Sequence, residues 1–137
     1  MKTFLYAFIL VGFCWSSRAQ SLNGTSWTMD YNATLSSMTT SATALLNAQD
    51  PAIKQSILDD IGTYEFSFHS DGTYDFWVND RETSGTWSLS GTNLTITLDS
   101  HSQQLEVVSN DGTTLVLKRH EESDSAVLFH YWHLTSI

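Results

Sequence analysis

The sequence predicts an all-β fold, an eight-stranded antiparallel up-and-down barrel with a helical insert after the first strand. Apolar and polar residues alternate in short runs from Tyr64 to the C-terminus. Tight-turn pairs such as Asp71-Gly72 and Asp111-Gly112 separate these runs, and each such pair is typical of a hairpin. Consecutive hairpins form a meander, and a meander of this length usually closes into a barrel.

The first strand is predicted within residues 22–34. Trp27, Met29 and Tyr31 alternate with polar residues as far as Asn32. A period of two places every second side chain on the same face of a strand. The three large side chains therefore predict a first strand with one apolar face.

The next segment has a helical period. Apolar residues recur every three or four positions between 53 and 61, after Asp50-Pro51. Asp50 is a good N-cap, Pro51 suits a first helical position, and Gly62 suits a helix end. We expect a helical insert over about residues 37–61, formed by a short helix, a break and a second helix. Residues 35–43, which are rich in Ser and Thr, form a loop in an alternative interpretation.

Seven further strands are predicted from period-two runs separated by polar turns. They cover about residues 64–69, 74–78, 86–89, 94–98, 105–107, 115–117 and 126–134. The last run is apolar at consecutive positions, so its pattern does not determine which face points inward. The pattern is equally compatible with a barrel that encloses a cavity and with a barrel that is filled by side chains.

Length and charge restrict the class of protein. A chain of 137 residues is short enough for a single domain. It has six basic and fifteen acidic residues and a formal net charge of −9. An acidic surface repels phosphate backbones and anionic membranes, so we expect no nucleic-acid partner.

The N-terminal segment resembles a secretory signal peptide. Lys2 supplies a positive start, residues 4–13 form an apolar run, and Ser17-Arg18-Ala19 offers a small-residue cleavage site. We expect residues 1–19 to be removed and residues 20–137 to form the domain, in the periplasm or outside the cell. The apolar run is about half of the ~20 residues that a membrane-spanning helix needs, so we do not expect a spanning protein.

Cys14 leaves a second interpretation open, in which the cysteine carries a lipid anchor. Phe13 stands immediately before it, where a lipoprotein peptidase prefers a small residue. Cleavage after Ala19 would leave a mature chain without cysteine, which could form no disulfide and would depend on its apolar core for stability.

Four motifs together resemble a known family. Gly24 and Trp27 form Gly-x-x-Trp, and residues 66–74 read Phe-x-Phe-x-x-Asp-Gly-Thr-Tyr. Residues 85–89 read Gly-Thr-Trp-Ser-Leu, and residues 94–98 read Leu-Thr-Ile-Thr-Leu. Over Leu22 to Thr135 the chain resembles the small lipocalin-like domains that Gram-negative bacteria export into the envelope.

The resemblance implies an eight-stranded meander barrel, in a family most of whose members have no assigned activity. In the better-known lipocalins, a Trp of the first strand packs against an Arg near the last strand. Here the spacing Gly24-x-x-Trp27 departs from the Gly-x-Trp of those lipocalins, and Arg119, which precedes the final strand, is the candidate partner of Trp27. The family motifs are largely hairpin chemistry, so they indicate fold more strongly than function.

Aromatic side chains are the candidate ligand-binding residues. In a wide barrel they would line an apolar pocket, whereas in a narrow barrel they would form the core. Tyr64 belongs to the same alternating pattern. The predicted lining comprises Trp27, Tyr31, Phe66, Phe68, Tyr74, Phe76, Trp87, Phe129 and Tyr131.

Candidates for catalysis are weaker. Glu65, Asp75 and His69 share the polar side of two adjacent predicted strands, where two close carboxylates can serve as acid and base in a hydrolase or isomerase. His130 and His133 are three positions apart, so a regular strand directs them to opposite faces and away from one metal ion. We expect neither a metal nor a cofactor.

These observations lead to two hypotheses about function. The first is a non-enzymatic, exported lipocalin-like protein that binds a small apolar molecule in its barrel. The alternative is a filled barrel that serves as an accessory or interaction module of the cell envelope, with a protein partner that the sequence does not identify.

Overall fold

Eight antiparallel strands form a closed barrel in the computed structural model, which describes residues 21–120 and 128–137. Each strand pairs with its neighbours in chain order, and the last strand closes the barrel on the first through Thr28 and Thr135. The predicted barrel is confirmed. The strands are β1 (Thr25–Met29), β2 (Glu65–Phe68), β3 (Thr73–Val78), β4 (Arg81–Ser90), β5 (Asn93–Leu98), β6 (His101–Asn110), β7 (Thr114–Arg119) and β8 (Tyr131–Ser136).

The predicted signal peptide, its cleavage site and Cys14 lie outside the described residues. So do residues 121–127, which include the predicted final loop and the first two residues of the predicted last strand. Among the residues that the structure describes, no helix is both long and apolar enough to cross a membrane.

The barrel has two different ends. We call the end where β1 begins the turn end, because short connections close it around Gly72, Gly91 and Gly112. We call the opposite end the helical end, because the β1–β2 connection there contains the three helices of the described residues. They are α1 (Tyr31–Ser36), α2 (Thr40–Asn47) and α3 (Pro51–Ile61).

The first strand ends at Met29, before Tyr31 and Asn32, which its alternation includes. The Asp30 side chain accepts a hydrogen bond from the Ala33 backbone N–H at 3.0 Å, which caps α1 and starts the helix at Tyr31. The Asp30 backbone N–H donates to the His133 carbonyl of β8 at 2.7 Å. The cap therefore directs the chain from the sheet into a helix, although Tyr31 continues the period of two.

Thr34 connects α1 to the barrel wall. Its hydroxyl accepts a hydrogen bond from the His133 backbone N–H at 3.0 Å and lies 3.1 Å from the Met29 sulfur. Thr34 is also buried, which is unusual for a threonine among otherwise apolar core residues. The contact holds the first helix against β8 at the helical end.

The remaining helices begin where the sequence places helix caps. The Thr39 side chain caps α2 by accepting from the Ala42 N–H at 3.1 Å. Asp50 caps α3 by accepting from the Ala52 N–H at 2.9 Å, with Pro51 in the first turn. The structure does not contain the loop that the alternative interpretation placed over residues 35–43. These residues form the end of α1, a short link and the start of α2. At its far end α3 inserts the buried Ile61 into the barrel core.

Two strands are longer than their apolar pattern indicates. β4 and β6 each contain ten residues, because polar side chains continue the pairing beyond the apolar segments at residues 86–89 and 105–107. The β3–β4 turn consists of Asn79 and Asp80, with φ of 49° and 60°. Two successive residues with positive φ form the kind of two-residue turn whose twist matches the right-handed twist of the flanking strands. β4 therefore begins immediately at Arg81.

Candidate functional site

The inner wall of the barrel is almost entirely apolar. Alternate residues of each strand point inward, and together they form one continuous core with Leu22 and Ile61. The largest fully buried side chains of the strands are Trp27, Phe66, Phe68 and Tyr74. This core fills the middle of the barrel.

Phe66 is the centre of the aromatic contacts within the lumen. Its ring centroid lies 5.1 Å from that of Phe76, 5.6 Å from that of Trp132 and 6.3 Å from that of Tyr74. Tyr64 meets Phe76 edge to face at 5.0 Å. Pairs with these separations add stability beyond the area that they bury.

The turn end of the lumen is sealed. Leu22, which precedes β1, is 1% exposed and Phe68 is fully buried. Trp87 packs edge to face against Phe68 at 5.4 Å, and its indole N–H donates to the His69 carbonyl at 2.9 Å. A shallow cavity of about 380 Å³ lies outside this seal, between Leu22, Trp87 and the β2–β3 turn.

The helical end of the lumen is less completely buried. We call its half-buried apolar side chains the helical-end cluster, and they pack against the core from the side that faces the helices. The cluster consists of Tyr31, Tyr64, Phe76, Leu98, Phe129 and Trp132. Trp87, Leu89 and Val107, nearer the turn end, are also half-buried, so the two ends differ in the number of half-buried side chains, which is larger at the helical end.

The positively charged side chain of Arg119 lies among these apolar groups. Arg119 ends β7 on the same face as the inward-pointing Leu115 and Leu117. Its guanidinium carbon lies 5.9 Å from the centroid of the Trp132 ring. With its amide oriented to satisfy both groups, the Gln103 oxygen accepts from the Nε and Nη2 of Arg119 at 2.8 and 3.1 Å. A cation and an amide therefore share the inner wall with the helical-end cluster.

Burial also affects the phenol of Tyr64 at this end. Partial burial raises the pKa of Tyr64, the carboxylate of Asp60 raises it further, and the guanidinium of Arg119 partly opposes both effects. The hydroxyl therefore remains protonated at neutral pH and can donate a hydrogen bond. Asp60 itself accepts a hydrogen bond from the Asn79 side chain in the β3–β4 turn.

Eight of the nine predicted lining residues pack in or against the core. Trp27, Phe66, Phe68 and Tyr74 are fully buried in it. Partly buried residues surround them at both ends, and these are Tyr31, Phe76, Phe129 and Trp87. The structure thus separates the predicted lining into a sealed group and a partly accessible group.

Tyr131 is the exception, because β8 directs it to the outer wall. Its cross-strand partner is Lys118, whose amine lies 5.9 Å from the centre of the Tyr131 ring. Trp132 occupies the inward position instead, opposite Leu117. The sequence did not identify Trp132 because consecutive apolar residues in β8 conceal the period of two.

Three other residues of the helical end were not among the predicted lining. Leu98 shares the inward face of β5 with Leu94 and Ile96, so the period of two could have identified it. Arg119 and Gln103 also keep the inward period of their strands. A polar residue at an inward position is the signal that could have identified both.

The predicted carboxylate pair is not directly opposed. Glu65 pairs with Trp77 across the β2–β3 hairpin, and Asp75 pairs with Ser67. All of these side chains lie on the outer wall. Glu65 and Trp77 line a second shallow cavity of about 380 Å³ beside the β3–β4 turn.

Asp75 is instead bonded to His69. The His69 Nε2 lies 2.6 Å from one carboxylate oxygen of Asp75, and the Ser84 hydroxyl donates to the other at 2.7 Å. Hydrogen bonds from His69 and then Ser84 lower the pKa of Asp75, and the same bond to Asp75 raises the pKa of His69. Activation of a serine requires the histidine to accept its proton, whereas here the carboxylate lies between the two.

The histidines of the final segment do not share a regular strand. His133 lies in β8 with Leu134 as its inward neighbour, and His130 precedes the strand. Within residues 21–120 and 128–137, no three His, Cys, Asp or Glu side chains are grouped so that they could hold a metal ion.

Comparison with known families agrees with this architecture. The sequence profile of the lipocalin-like domain matches residues 15–117, which include β1 to β6, the helices and the first four residues of β7. The chain belongs to the lipocalin-like domain family. Neither a curated protein nor a solved structure matches it.

Membership of the lipocalin-like family and the closed barrel fit a ligand-binding barrel protein. Lipocalins are generally binding proteins rather than enzymes. Arg119 stacks on Trp132 of β8 at the helical end, whereas Trp27 donates its indole N–H to Thr25 at 2.8 Å.

Proposed function

We propose that this lipocalin-like protein is exported and binds a small apolar ligand at the helical end of its barrel, without catalysing a reaction. The observation that supports this most directly is the gradient of burial along the lumen. Leu22 and Phe68 are buried at the base, whereas most of the half-buried apolar side chains that pack against the core lie at the helical end. A ligand would enter from the helical end and displace rim contacts such as that between Tyr64 and Phe76.

The size of the ligand follows from energetics. Each buried methylene group contributes about 0.8 kcal/mol. Association costs roughly 4–15 kcal/mol before any contact is counted. Ten buried methylene groups contribute about 8 kcal/mol, which exceeds the lower end of that cost, so we expect a ligand of at least this size. An eight-stranded barrel holds one small ligand of this kind.

The first test is native mass spectrometry of the mature chain from Gln20, produced with export and examined under gentle and then denaturing conditions. We expect extra mass that is lost on denaturation, or a mass shift when medium-chain apolar compounds are offered. A bare mass that stays unchanged with every compound would contradict ligand binding.

A pair of tryptophan substitutions locates the site. Leu98→Trp fills the helical end from the inner face of β5, whereas Val116→Trp adds the same side chain to the outer wall of β7. We expect ligand binding to be lost in L98W and retained in V116W, with circular dichroism confirming that both are folded. Equal binding by both variants would place the ligand elsewhere.

Export is tested on the full chain by cell fractionation and intact mass. Cleavage after Ala19 leaves a chain that begins at Gln20, and we expect this mass in the periplasmic or extracellular fraction. Retention of residues 1–19 in the cytoplasm would contradict export. A chain that begins at an acylated Cys14 would instead show the lipid-anchored form.

The filled barrel is the second candidate, and the ring contacts favour it. Phe66 touches Phe76, Tyr74 and Trp132 without an intervening group. In that case the lumen only stabilises the fold, and the outer surface would contact a protein of the cell envelope. The same mass spectra decide between the candidates, since a filled barrel takes up none of the compounds.

A further inference from the structure

The outer wall of β2, β3 and β4 carries a tryptophan between two acidic residues. Trp77 of β3 pairs with Glu65 of β2 on one side and with Glu82 of β4 on the other. Residues that pair directly across antiparallel strands have Cβ atoms about 4.5–5.5 Å apart and project from the same face. The three side chains therefore form one row on the outer wall, which we call the Trp77 site.

A preformed cavity accompanies this row. It has a volume of about 380 Å³, and the residues that line it are Thr63, Glu65, Trp77, Asn79 and Asp80. The β3–β4 turn that forms one of its sides is held in place, because the backbone N–H of Asn79 donates to the Thr63 hydroxyl at 3.0 Å and the Asn79 side chain donates to Asp60. Sites for small molecules are typically concave and largely preformed, with an aromatic surface and a few polar groups.

The charges of the Trp77 site are not matched by the chain itself. Within residues 21–120 and 128–137, neither the Glu65 nor the Glu82 carboxylate forms an ion pair or a side-chain hydrogen bond. Among the same residues, no lysine or arginine lies over the half-buried Trp77 ring. The described chain thus supplies an aromatic ring and two negative charges but no cation between them.

Tyr131 shows the opposite arrangement elsewhere on the outer wall. The amine of its cross-strand partner Lys118 lies 5.9 Å from the centre of the Tyr131 ring, so this ring already has a cation from the chain. Trp77 has a carboxylate at both cross-strand positions instead. Tryptophan attracts cations more strongly than the other aromatic side chains, and carboxylates beside the ring add to the attraction.

We propose that the Trp77 site binds the quaternary ammonium group of a small molecule. The cation rests on the indole ring, with the carboxylates of Glu65 and Glu82 on either side of it. A quaternary ammonium group is less strongly hydrated than the primary ammonium of a lysine, and its methyl groups pack on the ring. The excess of fifteen acidic over six basic residues also attracts cations to this protein. The site lies outside the lumen, so the inference does not depend on the proposed function.

A matched pair of ligands tests the inference. Choline and its neutral isostere, in which a tert-butyl group replaces the trimethylammonium group, have the same shape and differ in charge. We expect the chain from Gln20 to bind choline about tenfold more tightly than the isostere in ligand-observed NMR titrations. The indole N–H signal of Trp77 should shift with choline, and added salt should weaken the binding because the site is open to solvent.

Substitutions locate the site. Trp77→Leu should abolish the preference for choline, whereas Tyr131→Leu removes an aromatic side chain from another part of the outer wall and should keep it. The double variant with Glu65→Gln and Glu82→Gln retains the ring, so it tests the charges even if W77L does not fold. We expect it to lose most of the preference. Glu106→Gln is its control, because Glu106 lies on β6 opposite Lys118.

The outcomes decide the inference and separate it from the lumen. Equal binding of choline and the isostere, no binding of choline at millimolar concentration, or a preference that persists in W77L or in the double glutamine variant overturns it. Tighter binding of N-acetyl-lysinamide than of choline would assign the site to lysine side chains of a protein and overturn the small ligand. L98W, which fills the helical end of the lumen, should bind choline as the wild type does, and loss of choline binding in L98W would place the cation in the lumen instead.

Discussion

At the scale of single residues, the outer wall carries a charged pair that the β2–β3 hairpin assembles. His69 and Asp75 are six positions apart, and the turn brings their side chains within 2.6 Å. His69 is 47% exposed, so solvent weakens the pair, but its hydrogen bond shifts both pKa values. The sequence grouped these residues correctly on one face, although the register places Trp77 rather than Asp75 opposite Glu65.

The shifts predict a pH dependence with a definite sign. The raised pKa of His69 gives a contribution to stability that is complete below its usual pKa of 6.5 and is lost as pH rises through the folded value. The lowered pKa of Asp75 gives a contribution present above its usual pKa of 3.8 and lost as pH falls through the folded value. The pair therefore stabilises the fold most between about pH 3.8 and 6.5.

We expect Asp75→Asn to lower the pKa of His69 in an NMR titration, because the largest cause of the shift is removed. Asp111→Asn is the control, since it changes the same functional group in the β6–β7 turn, away from His69. An unchanged His69 titration in D75N would show that the hydrogen bond does not persist in solution.

At the scale of the elements, a close approach between β4 and β5 depends on Gly85. A Cβ atom placed at this position would lie 2.0 Å from the Thr97 carbonyl oxygen and 2.9 Å from a methyl group of Leu98. Glycine inside a strand often marks such an approach of two backbones. Gly85 thereby lets β4 continue as one ten-residue strand while Leu98 reaches the helical-end cluster.

Gly85→Ala should destabilise the barrel by about 3 kcal/mol or more, because two paired strands would have to separate. Gly91→Ala is the matched variant. Its added Cβ meets nothing within 4 Å, but its φ of +61° costs roughly 1–2 kcal/mol with a side chain present. Urea unfolding measures both variants, and a G85A as stable as G91A would disprove the close approach.

At the scale of the whole molecule, the barrel is closed at one end by a residue outside its strands. Leu22 precedes β1 and is 1% exposed, in the same core as Trp27 and Leu134. Thr25 donates its backbone N–H to the Leu22 carbonyl at 3.2 Å and its hydroxyl to the same oxygen at 2.6 Å. The segment immediately before β1 therefore forms the base of the lumen.

Leu22→Ala in the chain from Gln20 should lower the free energy of unfolding by about 2–5 kcal/mol, the usual effect of truncating a buried leucine. Ser21→Ala changes the exposed neighbouring side chain and should change stability by less than about 0.5 kcal/mol. Denaturant unfolding compares the two. Similar stabilities for L22A and S21A would show that Leu22 does not seal the base.

The difference in burial between the two ends of the lumen is also a property of the whole molecule. Sealing by Leu22 at one end and partial burial beneath the helices at the other define the direction from which a ligand would enter. No single strand has this property, since each contributes side chains to both ends. The proposed site is therefore a consequence of closing the sheet.

The sequence by itself determined the number of strands, their antiparallel order and the position of the helical insert. These features depend on local chemistry, namely the period of two, the residues that turns require and the caps of α2 and α3. The eight predicted strands and the break at Asp50-Pro51 reflect this. Where local signals conflicted, as at Tyr31, the Asp30 cap prevailed over the alternation of apolar residues.

Only the tertiary structure decided the inward face of β8, the partner of Asp75 and the position of Arg119 beside Trp132. Each depends on register and closure between distant strands, and a shift of one residue would reverse the faces. In β8 the apolar pattern was equal on both faces, so packing against β1 and β7 selected Trp132 over Tyr131. Closure of the barrel also brought Arg119 and Gln103 into contact, which neither strand shows by itself.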